Sequence, residues 1–122
     1  MDNNIIWTLE GKIKKEDLDK YIELMNEIVS VTKKEEGTLN YEWTISEDLQ
    51  NVHVYERYKN ADAAIKHLDD SWAFYKDKYS KLVDIQKFSV YSELTDELKE
   101  KVASMNPVYM YPLGGFYRIY KC

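Results

Sequence analysis

The sequence predicts an α+β domain of the ferredoxin-like kind, with the order β-α-β-β-α-β and an antiparallel sheet that carries its helices on one face. Three observations predict it. Leu18 to Thr32 carries a long amphipathic stripe, Leu39 to Ile45 and Val52 to Tyr58 are strand-like runs joined by a polar turn, and a second helical stretch is followed by a returning strand. With 122 residues the chain is one domain, large enough for a single two-layer core. Residues 1–94 are expected to form the ferredoxin-like unit, and residues 95–122 a C-terminal helix and an aromatic tail packed into the same domain.

Taken in order, Ile5 to Glu10 reads as a strand with Ile5, Trp7 and Leu9 on one face and Ile6 and Thr8 on the other. Both faces need cover. Leu18, Tyr21, Ile22, Met25, Ile28, Val29 and Thr32 then recur at helical spacing, with Glu16 and Asp17 in the first turn and Lys33 and Lys34 in the last, a charge placement that suits the helix dipole. Leu39, Tyr41, Trp43 and Ile45 alternate with polar residues, and Val52 and Val54 with His53 and Tyr55, so these runs should pair as a hairpin across Ser46 to Asn51. Asn60 is a good N-cap for a helix through about Leu68. Asp69-Asp70-Ser71 reads as a break before a further helical piece with Trp72, Tyr75, Tyr79, Leu82 and Val83 on one stripe. Ile85 to Leu94 returns as a strand, and Thr95 caps a last helix with Asp96 and Glu97 in its first turn and Leu98 and Val102 on its buried side. The segment 107–118 is too aromatic for a solvated tail and should pack on the body or on a partner.

Several function classes are disfavoured. The 22 acidic and 17 basic residues give a net charge of −5, and Lys and Arg are scattered, whereas phosphate-backbone binding needs concentrated positive charge. Nucleic acid is not an expected partner, nor is a membrane, since no run of about 18 apolar residues is present. The N-terminus has no basic region or signal-like apolar core, which makes a cytoplasmic location the expectation. Cys122, the one cysteine, cannot form an intrachain disulfide. His53 and His67 are the two histidines, and no pattern of Cys or carboxylates completes a metal site and no glycine-rich loop a phosphate cradle. Neither a metal nor a cofactor is expected.

Glu36-Gly37-Thr38-Leu39-x-Tyr41-Glu42, then Tyr55-Glu56-Arg57-Tyr58-Lys59-Asn60-Ala61-Asp62-Ala63, then His67 a short way before Ser71 and Phe74, resembles the antibiotic biosynthesis monooxygenase (ABM) family over roughly Ile5 to Leu94. The resemblance implies a homodimer in which two sheets stack face to face as a dimeric α+β barrel. It also implies cofactor-independent oxidation of a small aromatic quinol or polyphenol by dioxygen, in which an ionised, electron-rich ring itself passes an electron to oxygen. The protein then removes a proton, orients the ring and excludes water. Haem-degrading relatives place a histidine about three helical turns after a tryptophan. From Trp72 that register reaches Leu82, which argues against haem breakdown.

His67 is the candidate base, because an imidazole accepts and returns a proton at neutral pH. Its structural alternative is a satisfied helix or core histidine. Trp72 and Tyr75 are candidate substrate walls, or plain core; Tyr79 is a possible phenolic hydrogen-bond partner; and Asn3 and Asn4 resemble the position where related enzymes use an asparagine to orient substrate, with a solvated polar lead-in to the first strand as the alternative. Glu42 and Glu56, on adjacent strands, could in principle form an acid and base pair but are expected to form surface or interface ion pairs. The competing functional readings are a non-catalytic dimeric module for a small hydrophobic ligand and a small-molecule isomerase on the same fold. A His67 buried in an ion-paired setting away from solvent would favour the binding module.

Overall fold

The computed structural model describes residues 3–119, so Cys122 lies outside the described residues. Five strands and four α-helices follow in the order β1 (Ile5–Lys12), α1 (Leu18–Thr32), β2 (Thr38–Ile45), β3 (Asn51–Tyr58), α2 (Ala61–His67), α3 (Ala73–Leu82), β4 (Asp84–Val90), α4 (Asp96–Val102) and β5 (Val108–Tyr109). The sheet order is β2-β3-β1-β4-β5, antiparallel except for the short parallel pair β4–β5. This is the predicted ferredoxin-like arrangement with one added edge strand.

Alternation along each strand decides what the helices cover. Ile5, Trp7 and Leu9 of β1 and Val52, Val54, Glu56 and Tyr58 of β3 are buried under the helices. Ile6, Thr8 and Glu10, with Tyr55 and Arg57, point to the open face. Trp7 packs against Tyr58 and Phe88 with ring centroids 5.1 and 5.3 Å apart, and a second aromatic group joins Tyr21, Trp43, Trp72 and Tyr79. Tilted and edge-on rings of this kind bury large areas in favourable geometry, which accounts for much of the tyrosine content.

Local chemistry sets the connections. The Asn60 side chain accepts from the Ala63 N–H at 2.9 Å and starts α2, and Thr95 caps α4 through the Leu98 N–H at 3.2 Å. Gly37 lets β2 start against α2: a Cβ there would stand 2.5 Å from the Ala63 Cβ.

Three elements differ from expectation. Asp69-Asp70-Ser71 does not break the chain, because Leu68–Trp72 forms a π-helical turn that joins α2 to α3. The widened turn carries its acidic residues outward and keeps Ser71 inward without ending the helix. Strand β4 ends at Val90, and Leu94 is buried beyond a non-strand connection. The third correction concerns Glu56, which is 6% exposed in the core, not at the surface or an interface. It continues the inward alternation of Val52 and Val54, so the strand's own pleat turns it under the helices.

Candidate active site

The buried polar residues converge at one place between the sheet and α2. His67, the last residue of α2, is 1% exposed. Its Nδ1 lies 2.9 Å from Glu35 Oε1, and its Nε2 faces Glu56 Oε1 at 3.6 Å. Glu35 sits between α1 and β2, where it also accepts from the Ser71 hydroxyl at 2.8 Å and the Thr38 hydroxyl at 3.2 Å. Ser71 in turn accepts from Thr32 Oγ1 at 3.3 Å. The network draws on α1, β2, β3, α2 and the π-helical turn.

The two carboxylates are held differently. Burial pushes Glu35 up, but the hydrogen bond and charge of His67 and the Ser71 and Thr38 hydroxyls outweigh it and hold the carboxyl below its ordinary value. Burial dominates at Glu56 and raises it, against the opposing pull of His67, the Tyr58 hydroxyl and the Trp7 indole. The Tyr58 hydroxyl donates to Glu56, and burial together with the Glu56 charge pushes that phenol well above its ordinary value. Tyr41, paired with Glu56 across β2–β3, is raised by the same causes. Tyr58 and Tyr41 also contact the imidazole, each with ring centroids 5.3 Å away.

A narrow cavity opens beside this cluster. Glu56 and His67 supply its polar wall, Trp7, Leu9 and Phe88 its floor on the sheet, and Leu68, Trp72 and Met105 its rim. It holds about 10 Å³ of water-sized space, room for roughly one water molecule. Such an arrangement is chemically able to relay a proton: with Glu35 accepting at Nδ1, Nε2 is the nitrogen turned toward Glu56, a carboxyl that burial raises above its ordinary value.

Of the sequence candidates, His67 and Trp72 meet at this cavity. Tyr75 and Tyr79 are buried in the neighbouring core and do not line it. Burial pushes the Tyr79 phenol far above its ordinary value, with the adjacent Tyr21 adding to the shift. Asn4 lies at the end of the sheet, where Nδ2 donates to the Lys59 carbonyl at 3.1 Å and Oδ1 accepts from Arg57 Nε at 2.6 Å. Glu35 and Ser71 complete the site without having been singled out for it, and so does Glu56, admissible from sequence as half of an acid-base pair with Glu42 but expected there in a surface or interface ion pair. The alternation Val52-x-Val54-x-Glu56-x-Tyr58 carried the signal for Glu56; Glu35, in the run Lys33-Lys34-Glu35-Glu36, had none.

Among the described residues no group of three or more His, Cys, Asp and Glu side chains is arranged to hold a metal ion. No helix of those residues is long and apolar enough to cross a membrane.

A helix-backed antiparallel sheet with an acid-base cluster sealed between its layers defines a ferredoxin-like α+β protein. Residues 5–71 match the model of the antibiotic biosynthesis monooxygenase family, and since they make up more than half of the chain, it belongs to that family. Among solved structures, MupZ from Pseudomonas fluorescens is similar at 22% identity, with 97% of this chain and 91% of that one covered and a TM-score of 0.85. A putative antibiotic biosynthesis monooxygenase from Nitrosomonas europaea is similar at 16% identity over 79% of this chain and 95% of that one, TM-score 0.67. SnoaB, a cofactor-independent oxygenase from Streptomyces nogalater, is similar at 6% identity over 76% of this chain and 95% of that one, TM-score 0.65. At these identities the likeness is one of fold. No curated protein matches the chain.

Proposed function

We propose that this protein is a homodimeric, cofactor-independent monooxygenase that oxidises a small aromatic quinol or polyphenol with dioxygen, using His67 as the base. The observation that carries this reading is the line Glu35–His67–Glu56, of which His67 and Glu56 form the polar wall of a cavity otherwise lined by aromatic and aliphatic side chains. His67 Nε2 takes the phenolic proton, Glu35 steadies the imidazolium that results, and the electron-rich anion reduces dioxygen. The quinol supplies all four electrons. One oxygen atom ends in the hydroxyquinone and the other in water, with Glu56 placed to donate a proton as the O–O bond breaks. The family of the chain and the oxygenase named among its structural neighbours support the reaction class. Admission of a ring requires the rim at Leu68, Trp72 and Met105 to move outward, because the present cavity has room only for water.

Two observations favour a second reading, the small-ligand module without turnover: His67 is 1% exposed, and both of its nitrogens face carboxylates. Oxygen consumption and tryptophan fluorescence, followed together over hydroquinones and naphthoquinols, separate the two. For the monooxygenase, wild type consumes oxygen above the spontaneous rate and His67→Gln loses about a hundredfold or more in turnover, the low end of what positioned acid-base groups contribute. Saturable quenching of tryptophan emission with no oxygen uptake identifies a binding module instead. Equal activity in wild type and variant removes His67 from the mechanism.

A further inference from the structure

Beyond Met110 the described residues, through Ile119, carry largely exposed side chains. The root of this segment is tied down: Val108 and Tyr109 pair with Ser89 and Val90, the Met110 N–H donates to the Val90 carbonyl at 2.7 Å, and Lys99 Nζ lies over the Tyr109 ring. Further along, Leu113 is 102% exposed, Phe116 82%, Tyr117 67% and Ile119 76%. Arg118 is the one charged residue between 110 and 119. A large apolar side chain gains about 1.5–3 kcal/mol on full burial, so this run of rings and aliphatics has a large unrealised gain in the isolated chain. Its Tyr111, Pro112, Tyr117 and Ile119 border a broad cleft that is also lined by Ile6 and Tyr55 of the open sheet face and by Tyr91 just beyond β4.

We propose that residues 110–119 are an exchange arm, laid by each copy of this chain on the open sheet face of a second copy. The inference rests on the homodimer reading above and adds which segment closes the interface. Area is consistent with it: four strands of seven or eight residues present a face with a flat footprint of about 500 Å², and the arm adds side chains that its own fold leaves bare toward the roughly 800 Å² of accessible surface that each partner of a standard stable interface buries. Length permits it, since ten extended residues reach about 33 Å, more than the roughly 19 Å across four strands. Symmetry closes it, because a two-fold axis lets two arms meet two faces with nothing left over.

Sedimentation of the full chain and of Phe116→Asp/Ile119→Asp, over a range of protomer concentrations, tests the arm. Both side chains stand clear of the chain's own core, so the variant keeps the wild-type far-UV circular dichroism. The expected result is a wild-type dimer and a variant whose dimer dissociation constant rises at least about a hundredfold, because each arm then has two fewer apolar side chains to bury. In trans, Leu113→Cys and Tyr55→Cys chains, both in a Cys122→Ser background, should form a disulfide-linked pair when mixed. A wild-type monomer overturns the dimer and the arm together. A wild-type dimer with an equally tight variant, or a Leu113→Cys/Tyr55→Cys double variant that bridges within one chain, overturns the arm alone.

Discussion

Replacing Glu35 tests whether the buried cluster holds the fold together as the geometry requires. In Glu35→Ala, His67 Nδ1, Ser71 Oγ and Thr38 Oγ1 lose an acceptor at 2.9, 2.8 and 3.2 Å respectively. The site is 8% exposed, so water replaces that acceptor poorly, and Glu56 is left as the sole carboxylate facing the imidazole. Breaking a buried pair by removing one partner costs about 3–5 kcal/mol, a large share of the 5–15 kcal/mol typical of a whole domain. For a chain of this size the loss corresponds to a fall in Tm of roughly 10–20 °C. Glu35→Gln keeps an acceptor for the hydroxyls and loses only the charge, so it should cost about 1–3 kcal/mol. Urea unfolding followed by circular dichroism at fixed protomer concentration measures both. The pH dependence has a definite sign. Because the folded-state carboxyl is held below its ordinary value near 4.5, its contribution is complete above that value and is lost as pH falls through the lowered one. The gap between wild type and Glu35→Ala should therefore close toward low pH. A Glu35→Ala variant within about 1 kcal/mol of wild type at pH 7 would show that the network contributes little and that water substitutes for the carboxylate.

Glu56 should behave in the opposite sense. Its folded-state carboxyl is raised by burial, so stability is fully present below the ordinary value near 4.5 and declines as pH rises through the raised one. Glu56→Gln should remove that decline, giving a variant as stable as wild type at pH 4 and more stable than it at pH 8; a larger advantage at pH 4 than at pH 8 in urea melts refutes the assignment. Gly37→Ala places a methyl 2.5 Å from the Ala63 Cβ and should cost about 1–3 kcal/mol by overpacking. Ala63→Gly in the same chain should recover most of it, and a double-mutant cycle with no coupling between the two positions would mean that β2 and α2 separate freely.

Much of the fold was legible along the chain. Helical spacing from Leu18 to Thr32, alternation in β1, β2 and β3, and side-chain caps at Asn60 and Thr95 are local properties, and each element formed where its own residues specify it. His67 and Trp72 were legible for a related reason: one histidine and one ring, less than two helical turns apart, keep their relation whatever packs around them. Glu56 was legible in principle and misread, since its place in the Val52-Val54 alternation marks the inner face while its charge suggests the outer one. Glu35 was not legible, because nothing in Lys33-Lys34-Glu35-Glu36 says which carboxylate turns inward until α2 brings His67 and the π-helical turn brings Ser71 to the end of α1.

The sequence by itself thus determined the elements, their order and the place of His67 on its helix, all of which depend on interactions within a few residues of one another. Only the tertiary structure decided which carboxylates flank that histidine, the opposite directions in which burial and charge move them, and that the described residues past Met110 keep their aromatic and aliphatic side chains largely exposed. Burial and charge proximity are set by segments far apart in sequence, and no periodicity within one of them encodes its distance from another.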